Sequence, residues 1–226
     1  MPQDSAGIGM QNPVKGIMTS ISRKLFPALF FALAPVLCAP TPDQDRLPII
    51  ALQPLGKVRQ EVVATAAAGI EKAFHARVKV LPAEPLPVRA YYRPNNRYRA
   101  EVILDILRNR HCGGCLKMAG ITEADISTTK GDIQDWGIFG LATLNGRACV
   151  ISTFRLGRGG ASRELFSERL VKVVNHELGH TFGLDHCPVQ GCIMEDAKGT
   201  IRTVDRESGR FCERCRKRLE SQGILR

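Results

Sequence analysis

Hydrophobic residues between positions 47 and 110 alternate between the spacing of a strand and that of a helix. Short apolar runs bounded by prolines predict buried strands over residues 47–55 and 78–81. Apolar residues three and four positions apart predict helices over residues 58–74 and about 97–110. The order strand, helix, strand, helix is typical of a mixed α/β domain with right-handed crossovers.

The second half of the chain predicts a hairpin followed by a long helix. Two extended segments, residues 137–144 and 148–153, flank the dipeptide Asn145-Gly146, which favours a two-residue hairpin turn. After Ser162, a residue suited to cap a helix N-terminus, apolar residues recur at helical spacing up to Asn175. We therefore predict a β-hairpin and then an amphipathic helix.

Candidate chemistry is concentrated at the end of this helix, in the sequence HELGHTFGLDH. On a helix, residues four apart lie one turn above each other, so His176 and His180 project from one face and can bind one metal ion. Glu177 lies beside them, where a general base is needed. Gly183 allows the chain to leave the helix with positive φ and to return with His186 as a third ligand. Three imidazoles leave a tetrahedral zinc with one open position, as in a catalytic site.

Four cysteines follow the histidines in two short pairs. Cys187 and Cys192 come first, Met194 follows them, and Cys212 and Cys215 form a C-x-x-C pair. Four thiolates at this spacing suit a closed tetrahedral zinc site, whereas the alternative of two disulfides allows three connectivities. We favour zinc because the C-x-x-C pair is tight and the first cysteine directly follows the histidine motif.

The complete pattern, H-E-x-x-H-x-x-G-x-x-H-C-x4-C-x-M-x17-C-x-x-C, resembles the signature of the archaemetzincin family at every fixed position and in both spacers. The resemblance covers roughly residues 48–222, and its specific part is residues 176–215. It implies an α/β (α+β) fold: a metzincin-like mixed, twisted sheet with flanking helices, an active-site helix, a Met-turn and a small C-terminal subdomain with a structural zinc.

The same resemblance assigns a role to each residue of the signature. It implies two zinc ions per chain, one catalytic and one structural, and a methionine that underlies the catalytic site. The implied catalytic ligands are His176, His180 and His186, the general base is Glu177, the structural ligands are Cys187, Cys192, Cys212 and Cys215, and the Met-turn residue is Met194.

These residues indicate a zinc metallopeptidase that hydrolyses peptide bonds through a zinc-activated water, with Glu177 as general base and a peptide or protein as substrate. The resemblance also implies that one of the segments 137–144 and 148–153 pairs with an extended substrate, and the alternative is an ordinary hairpin of the sheet. The alternative is a zinc-stabilised binding module with little or no peptidase activity, although a purely structural site has no use for a base beside its ligands. Aminopeptidase and endopeptidase action both remain open.

Net charge alters this interpretation little. The chain of 226 residues carries a net charge of +10, but its basic residues are spread along the sequence. The densest run, at Arg214 and residues 216–218, follows the last cysteine, and we interpret it as a helix end that offsets the thiolates. We therefore expect no specific nucleic-acid partner, and we expect a monomer.

Residues 1–46 are interpreted as an extension that precedes the peptidase domain over residues 47–226. Within the extension, residues 25–37 form an apolar run preceded by Arg23 and Lys24, which has the shape of a secretory signal peptide. The run is too short to span a membrane stably. If the signal is functional, the protein is exported to the periplasm or the extracellular space, and otherwise it is cytoplasmic.

Four cysteines fall outside the signature. Cys112 and Cys115, in the sequence HCGGC, are predicted to form a disulfide, with a third metal site that uses His111 as the alternative. Cys149 lies in an apolar run and is predicted to be a small core residue. Cys38 lies at the end of the predicted signal peptide.

Overall fold

The computed structural model describes residues 47–225, and within that range the chain forms nine strands and five α-helices. The predicted signal peptide and Cys38 lie outside the described residues. The strands are β1 (Ile49–Pro54), β2 (Arg77–Val80), β3 (Tyr91–Tyr92), β4 (Arg97–Arg99), β5 (Lys117–Thr122), β6 (Ile126–Lys130), β7 (Ile133–Ile138), β8 (Gly140–Ala142) and β9 (Ala148–Ser152). The helices are α1 (Gln60–Ala73), α2 (Ala100–Asn109), α3 (Arg163–Thr181), α4 (Ile201–Arg206) and α5 (Glu213–Glu220).

The larger sheet has five strands in the order β2-β1-β5-β9-β8. The first four run parallel, and β8 pairs antiparallel with β9 at the edge. The predicted strands β1 and β2 and the predicted pairing of β8 with β9 are confirmed. The sequence pattern missed the central strand β5 because Gly120 interrupts its apolar run. A Cβ at Gly120 would lie 2.5 Å from Leu107, so the glycine lets α2 pack closely on the sheet.

Helices cover both faces of this sheet, because successive side chains of each strand point to opposite faces. Ile50, Leu52 and Ile151 share one apolar cluster with residues of α1 and α3. Ala51 and Val150 belong to a second cluster with residues of α2. The result is the mixed α/β fold with flanking helices that the sequence predicts.

A smaller sheet of four strands has the order β3-β4-β6-β7. Its strand β4 corrects the predicted helix over residues 97–110, because Tyr98 and Arg99 are extended and pair with β6, so the helix begins only at Ala100. The whole sheet escapes prediction, since β3 and β4 are only two and three residues long and β6 and β7 lack a clean apolar alternation.

Asp125, in the turn between β5 and β6, links the two sheets through two arginines. Its Oδ2 accepts a hydrogen bond from Nε of Arg97 in β4 at 2.8 Å, and its Oδ1 accepts one from Nε of Arg155 after β9 at 2.7 Å. Gly137 in β7 makes room for this arrangement, since a Cβ there would overlap the Arg155 guanidinium. The three charged side chains are largely buried, so the network lies in a medium of low polarity.

The connection between β8 and β9 is longer than the predicted two-residue turn. The Gly146 amide donates to the Thr143 carbonyl at 2.9 Å, and the Thr143 amide donates to the Ala148 carbonyl at 3.1 Å. Asn145 takes a φ of 51°, which asparagine tolerates better than most residues. The hairpin is therefore confirmed, whereas the two-residue turn is wrong.

Two of the cysteine predictions are confirmed. Cys112 and Cys115 form a disulfide, and Cys149 is a fully buried free thiol of the core. Among the helices of residues 47–225, none has the length and apolarity needed to cross a bilayer.

Candidate active site

Helix α3 carries two of the three histidines and the glutamate of the motif. It begins after Ser162, whose side-chain oxygen accepts a hydrogen bond from the Leu165 amide at 3.2 Å, as the sequence predicts. The helix packs against α1, β8 and β9, so most of its second half is buried. His176 and His180 therefore lie on consecutive turns of a helix that the core holds in place.

Backbone carbonyls orient the rings of these two histidines. Nδ1 of His176 lies 2.6 Å from the Ile193 carbonyl oxygen, and Nδ1 of His180 lies 2.7 Å from that of Leu184. Because a carbonyl oxygen only accepts, each Nδ1 carries the proton and each Nε2 presents a lone pair. The two Nε2 atoms face each other at 3.0 Å.

This donor set fits a metal ion. Two facing lone pairs repel each other, and a cation bound between them removes the repulsion. The exposed His186 completes the set, since the candidate ligand atoms of the three histidines all lie within 4.8 Å of one another. Three neutral imidazole nitrogens are one of the common ligand sets of catalytic zinc sites.

Burial keeps the helix histidines neutral. Burial and the neighbouring His180 lower the pKa of His176 to about 3, and burial also lowers the pKa of His180. Both rings are therefore unprotonated at Nε2 near neutral pH and free to bind a cation. Burial raises the pKa of Glu177 to about 8, and a cation close by would lower it again.

Gly183 turns the chain back toward the helix, as the sequence predicts. Its φ is 86°, and the Leu184 amide donates to the Gly179 carbonyl at 3.0 Å. The turn places the Leu184 carbonyl against His180 and brings His186 to the other two histidines. The turn at Gly183 therefore both orients the His180 ring and positions His186, the third candidate ligand.

Strand β8 passes directly over Glu177. A Cβ on Gly140 would lie 2.5 Å from Cγ and 2.6 Å from Oε1 of Glu177, so only a glycine permits this approach. No other strand pairs with the outer edge of β8 within the described residues. The glutamate is thus held between its own helix and an open sheet edge.

Met194, the predicted Met-turn residue, is fully buried. A Cβ on Gly179 would lie 2.5 Å from the sulfur of Met194, so the methionine packs against α3 at the residue that precedes His180. The preceding Ile193 supplies the carbonyl that orients His176. The methionine segment therefore supports the site both by packing and by hydrogen bonding.

The four cysteines of the signature meet at a separate point near the C-terminus. The sulfurs of Cys187 and Cys212 are 3.7 Å apart, and those of Cys192 and Cys215 are 3.9 Å apart. Sulfurs at the corners of a tetrahedron around zinc, each about 2.3 Å from the metal, are separated by about 3.8 Å. These distances fit a shared metal ion and are too long for disulfides. Arg214 donates to the Cys187 sulfur at 3.4 Å, which agrees with a basic run that offsets thiolates.

Two further elements anchor the end of α3, and the sequence did not reveal them. The Asn145 amide donates to the His180 carbonyl at 2.9 Å. Nζ of Lys117 in β5 donates to the Thr181 and Gly146 carbonyls, each at 2.7 Å. The positive charge satisfies carbonyls that the end of a helix leaves free, and it ties the hairpin to the histidine segment.

Comparison with known proteins gives a consistent result. A sequence profile of peptidase family M54 matches residues 60–221. An archaemetzincin of Haloarcula marismortui is 35% identical over 173 residues, which are 74% of this chain and 96% of the relative. The crystal structure of the Archaeoglobus fulgidus archaemetzincin has a TM-score of 0.65 at 34% identity and covers 75% of this chain and 99% of that chain. The Methanopyrus kandleri archaemetzincin has a TM-score of 0.66 at 33% identity, with 77% and 94% covered.

The match runs through both the histidine and the cysteine segments, and the solved relatives share the fold that holds them. The protein is therefore a zinc metallopeptidase. It belongs to peptidase family M54, the archaemetzincins. This membership does not favour the alternative of a binding module without peptidase activity.

Proposed function

We propose that the protein hydrolyses peptide bonds at the histidine site, with Glu177 as general base. In this proposal His176, His180 and His186 hold a catalytic zinc. The observation that carries it is the pair of Nε2 lone pairs facing each other at 3.0 Å beside a buried carboxylate. Such an arrangement is costly in a protein that binds no cation there.

The chain contributes positioning and proton transfer. When bound, zinc supplies a Lewis acid that makes water acidic enough to lose a proton near neutral pH. The Glu177 carboxylate accepts that proton and later donates it to the amine of the leaving product. Gly140, Val173 and Glu177 border one cavity, so the carboxylate lies beside a space where a substrate can bind.

An extended substrate is proposed to pair with the outer edge of β8. This strand is the edge of the larger sheet and passes over Glu177, so a peptide added there would run past the histidines. Main-chain hydrogen bonds of this kind hold a peptide without regard to its sequence. They leave the choice of substrate to side-chain pockets.

The four cysteines are proposed to hold a second, structural zinc. The spacing of their sulfurs supports this assignment, and so does the amide of Cys212, which donates to the sulfur of Cys192 at 3.3 Å. We accordingly expect two zinc ions per chain. Cys187 directly follows His186, so the two metal sites share a stretch of backbone.

The test is the substitution Glu177→Gln, which removes the base and preserves the shape of the side chain. We expect peptide hydrolysis to fall at least about a hundredfold, while elemental analysis still finds the zinc content of the parent. His180→Ala is the companion variant and should lose one of the two ions. A Glu177→Gln variant that cleaves peptides at the parent rate would contradict the assignment of the base.

A further inference from the structure

A cavity of about 320 Å³ opens beside His176 and Glu177. Its walls come from the smaller sheet, from β8, from α3 and from the segment that follows Met194. Much of the lining is apolar and suits the methylene groups of a long side chain: Ile138, Phe139, Leu141, Val173 and Val204. A substrate side chain next to the scissile bond can therefore enter this cavity.

Glu207, which directly follows α4, places a carboxylate in the wall of the cavity. The residue is only 5% exposed, and its carboxylate receives no hydrogen bond from any residue of the described chain. Burial raises its pKa to about 8, with Lys172 acting in the opposite direction and Glu195 adding to the rise. A buried carboxylate without a partner is unfavourable, and a cation in the cavity would relieve it.

The charged neighbours of Glu207 already have partners of their own. Nζ of Lys172 lies 2.6 Å from Oε1 of Glu168. The Glu195 carboxylate accepts a hydrogen bond from Arg206 at 2.6 Å.

Asp196 also lines the cavity, and its Oδ1 accepts a hydrogen bond from the Lys198 amide at 2.8 Å. Nζ of Lys130 lies over the Trp136 ring. Apart from the proposed base Glu177, Glu207 is therefore the carboxylate of this wall that accepts no hydrogen bond within the described residues.

We propose that the cavity is a substrate pocket that receives a lysine or arginine side chain and pairs its charge with Glu207. This inference rests on the proposed peptidase function and adds a substrate preference to it. The apolar wall suits the methylene stem of such a side chain, and the carboxylate suits its charged end. A free α-amino group carries the same charge but has no stem to fill the apolar part, so a side chain is the better occupant.

Matched peptides that differ only in lysine or norleucine test the pocket, with the variable residue moved through the positions that flank the scissile bond. At one position we expect the parent to cleave the lysine peptide with a kcat/KM about tenfold or more above that of the norleucine peptide. In Glu207→Gln the ratio should fall close to one, mainly through a higher KM for lysine. Peptides with an acetylated N-terminus should give the same ratio. A preference that disappears on acetylation would assign the charge to the α-amino group and overturn the side-chain pocket.

Asp105→Asn is the control, because it removes the carboxylate of the exposed pair of Asp105 and Arg108, which does not line the cavity. Its lysine-to-norleucine ratio should equal that of the parent. Fluorescence anisotropy of the same peptides bound to the Glu177→Gln variant measures the preference for lysine in binding alone, because this variant is expected not to cleave them. If the lysine-to-norleucine ratio in cleavage or binding is the same with and without Glu207→Gln, the proposed pocket is wrong and the peptidase proposal stands. Lysine-selective binding without cleavage by the parent contradicts the peptidase proposal alone.

Discussion

Gly140 stands where strand β8 crosses Glu177, and its missing side chain is what allows the crossing. Because a Cβ there would lie 2.5 Å from Cγ of Glu177, the substitution Gly140→Ala must displace either the carboxylate or the strand. We expect kcat to fall about a hundredfold, since a shift of about 1 Å in a catalytic group costs that much. Steady-state kinetics on a peptide substrate, together with zinc analysis, measures the effect.

Gly157→Ala is the control for this variant. Its added Cβ would find only Phe166, at 4.0 Å, so it should retain the activity of the parent. If both variants lost activity equally, the close approach of β8 to Glu177 would not be the cause.

At the scale of residues, site residues that lie close together in sequence can be predicted from their spacing, whereas those that act through contacts between distant segments cannot. His176 and His180 could be inferred from the sequence because a single helix sets their separation. The importance of Gly140 and Glu207 could not, because each acts on a site that other segments build. Their roles arise from packing between parts of the chain that are remote in sequence, and a pattern within one segment carries no trace of it.

At the scale of elements, prediction succeeded where a segment carries an apolar run or apolar residues at helical spacing. Helices α1 and α3 and strands β1, β2 and β9 carry clear apolar patterns, and all were expected. Strands β4, β6 and β7 have no clear apolar pattern and pair mainly with one another, so neither spacing nor composition marks them. Pairing with a neighbouring strand, and not a local preference, makes them extended.

The cysteine cluster supports a prediction about the C-terminal elements. Cys215 lies in α5, whereas Cys187 and Cys192 precede α4, so a shared ion would cross-link segments that are separate along the chain. Cys215→Ser should remove one zinc per chain and lower the unfolding free energy by about 3 kcal/mol or more. For a chain of this size, the corresponding fall in Tm is roughly 10 °C. Calorimetry and elemental analysis of the same sample measure both quantities.

Cys149→Ala provides the comparison, because it removes a buried thiol that lies in the sheet and away from the cluster. This variant should keep its full zinc content and show a smaller loss of stability. Unchanged zinc in Cys215→Ser would contradict the proposed structural site.

At the scale of the whole molecule, Asp125 matters because it bridges the two sheets. Asp125→Ala would leave the largely buried Arg155 without its carboxylate partner, while Arg97 would keep its ion pair with Asp135. We expect the unfolding free energy to fall by about 3 kcal/mol, because an unpaired buried charge is costly. Denaturant titration followed by circular dichroism gives the value.

The exposed pair of Asp105 and Arg108 serves as the reference for this variant. Both side chains are about half exposed, so Asp105→Ala should cost less than about 1 kcal/mol. Equal losses in the two variants would mean that the bridge between the sheets does not contribute specially to stability.

His186 is open to solvent, whereas Cys187, the next residue, is buried, as are Cys192 and Cys215. Under the proposed assignment, an ion at the histidines can leave and be replaced while the ion at the cysteines stays in place. The ion at the cysteines would hold the segment around His186 in its conformation, so that the empty histidine site can bind a new ion without refolding. The enzyme could then be emptied and restored, or supplied with cobalt for spectroscopy, as a folded protein throughout.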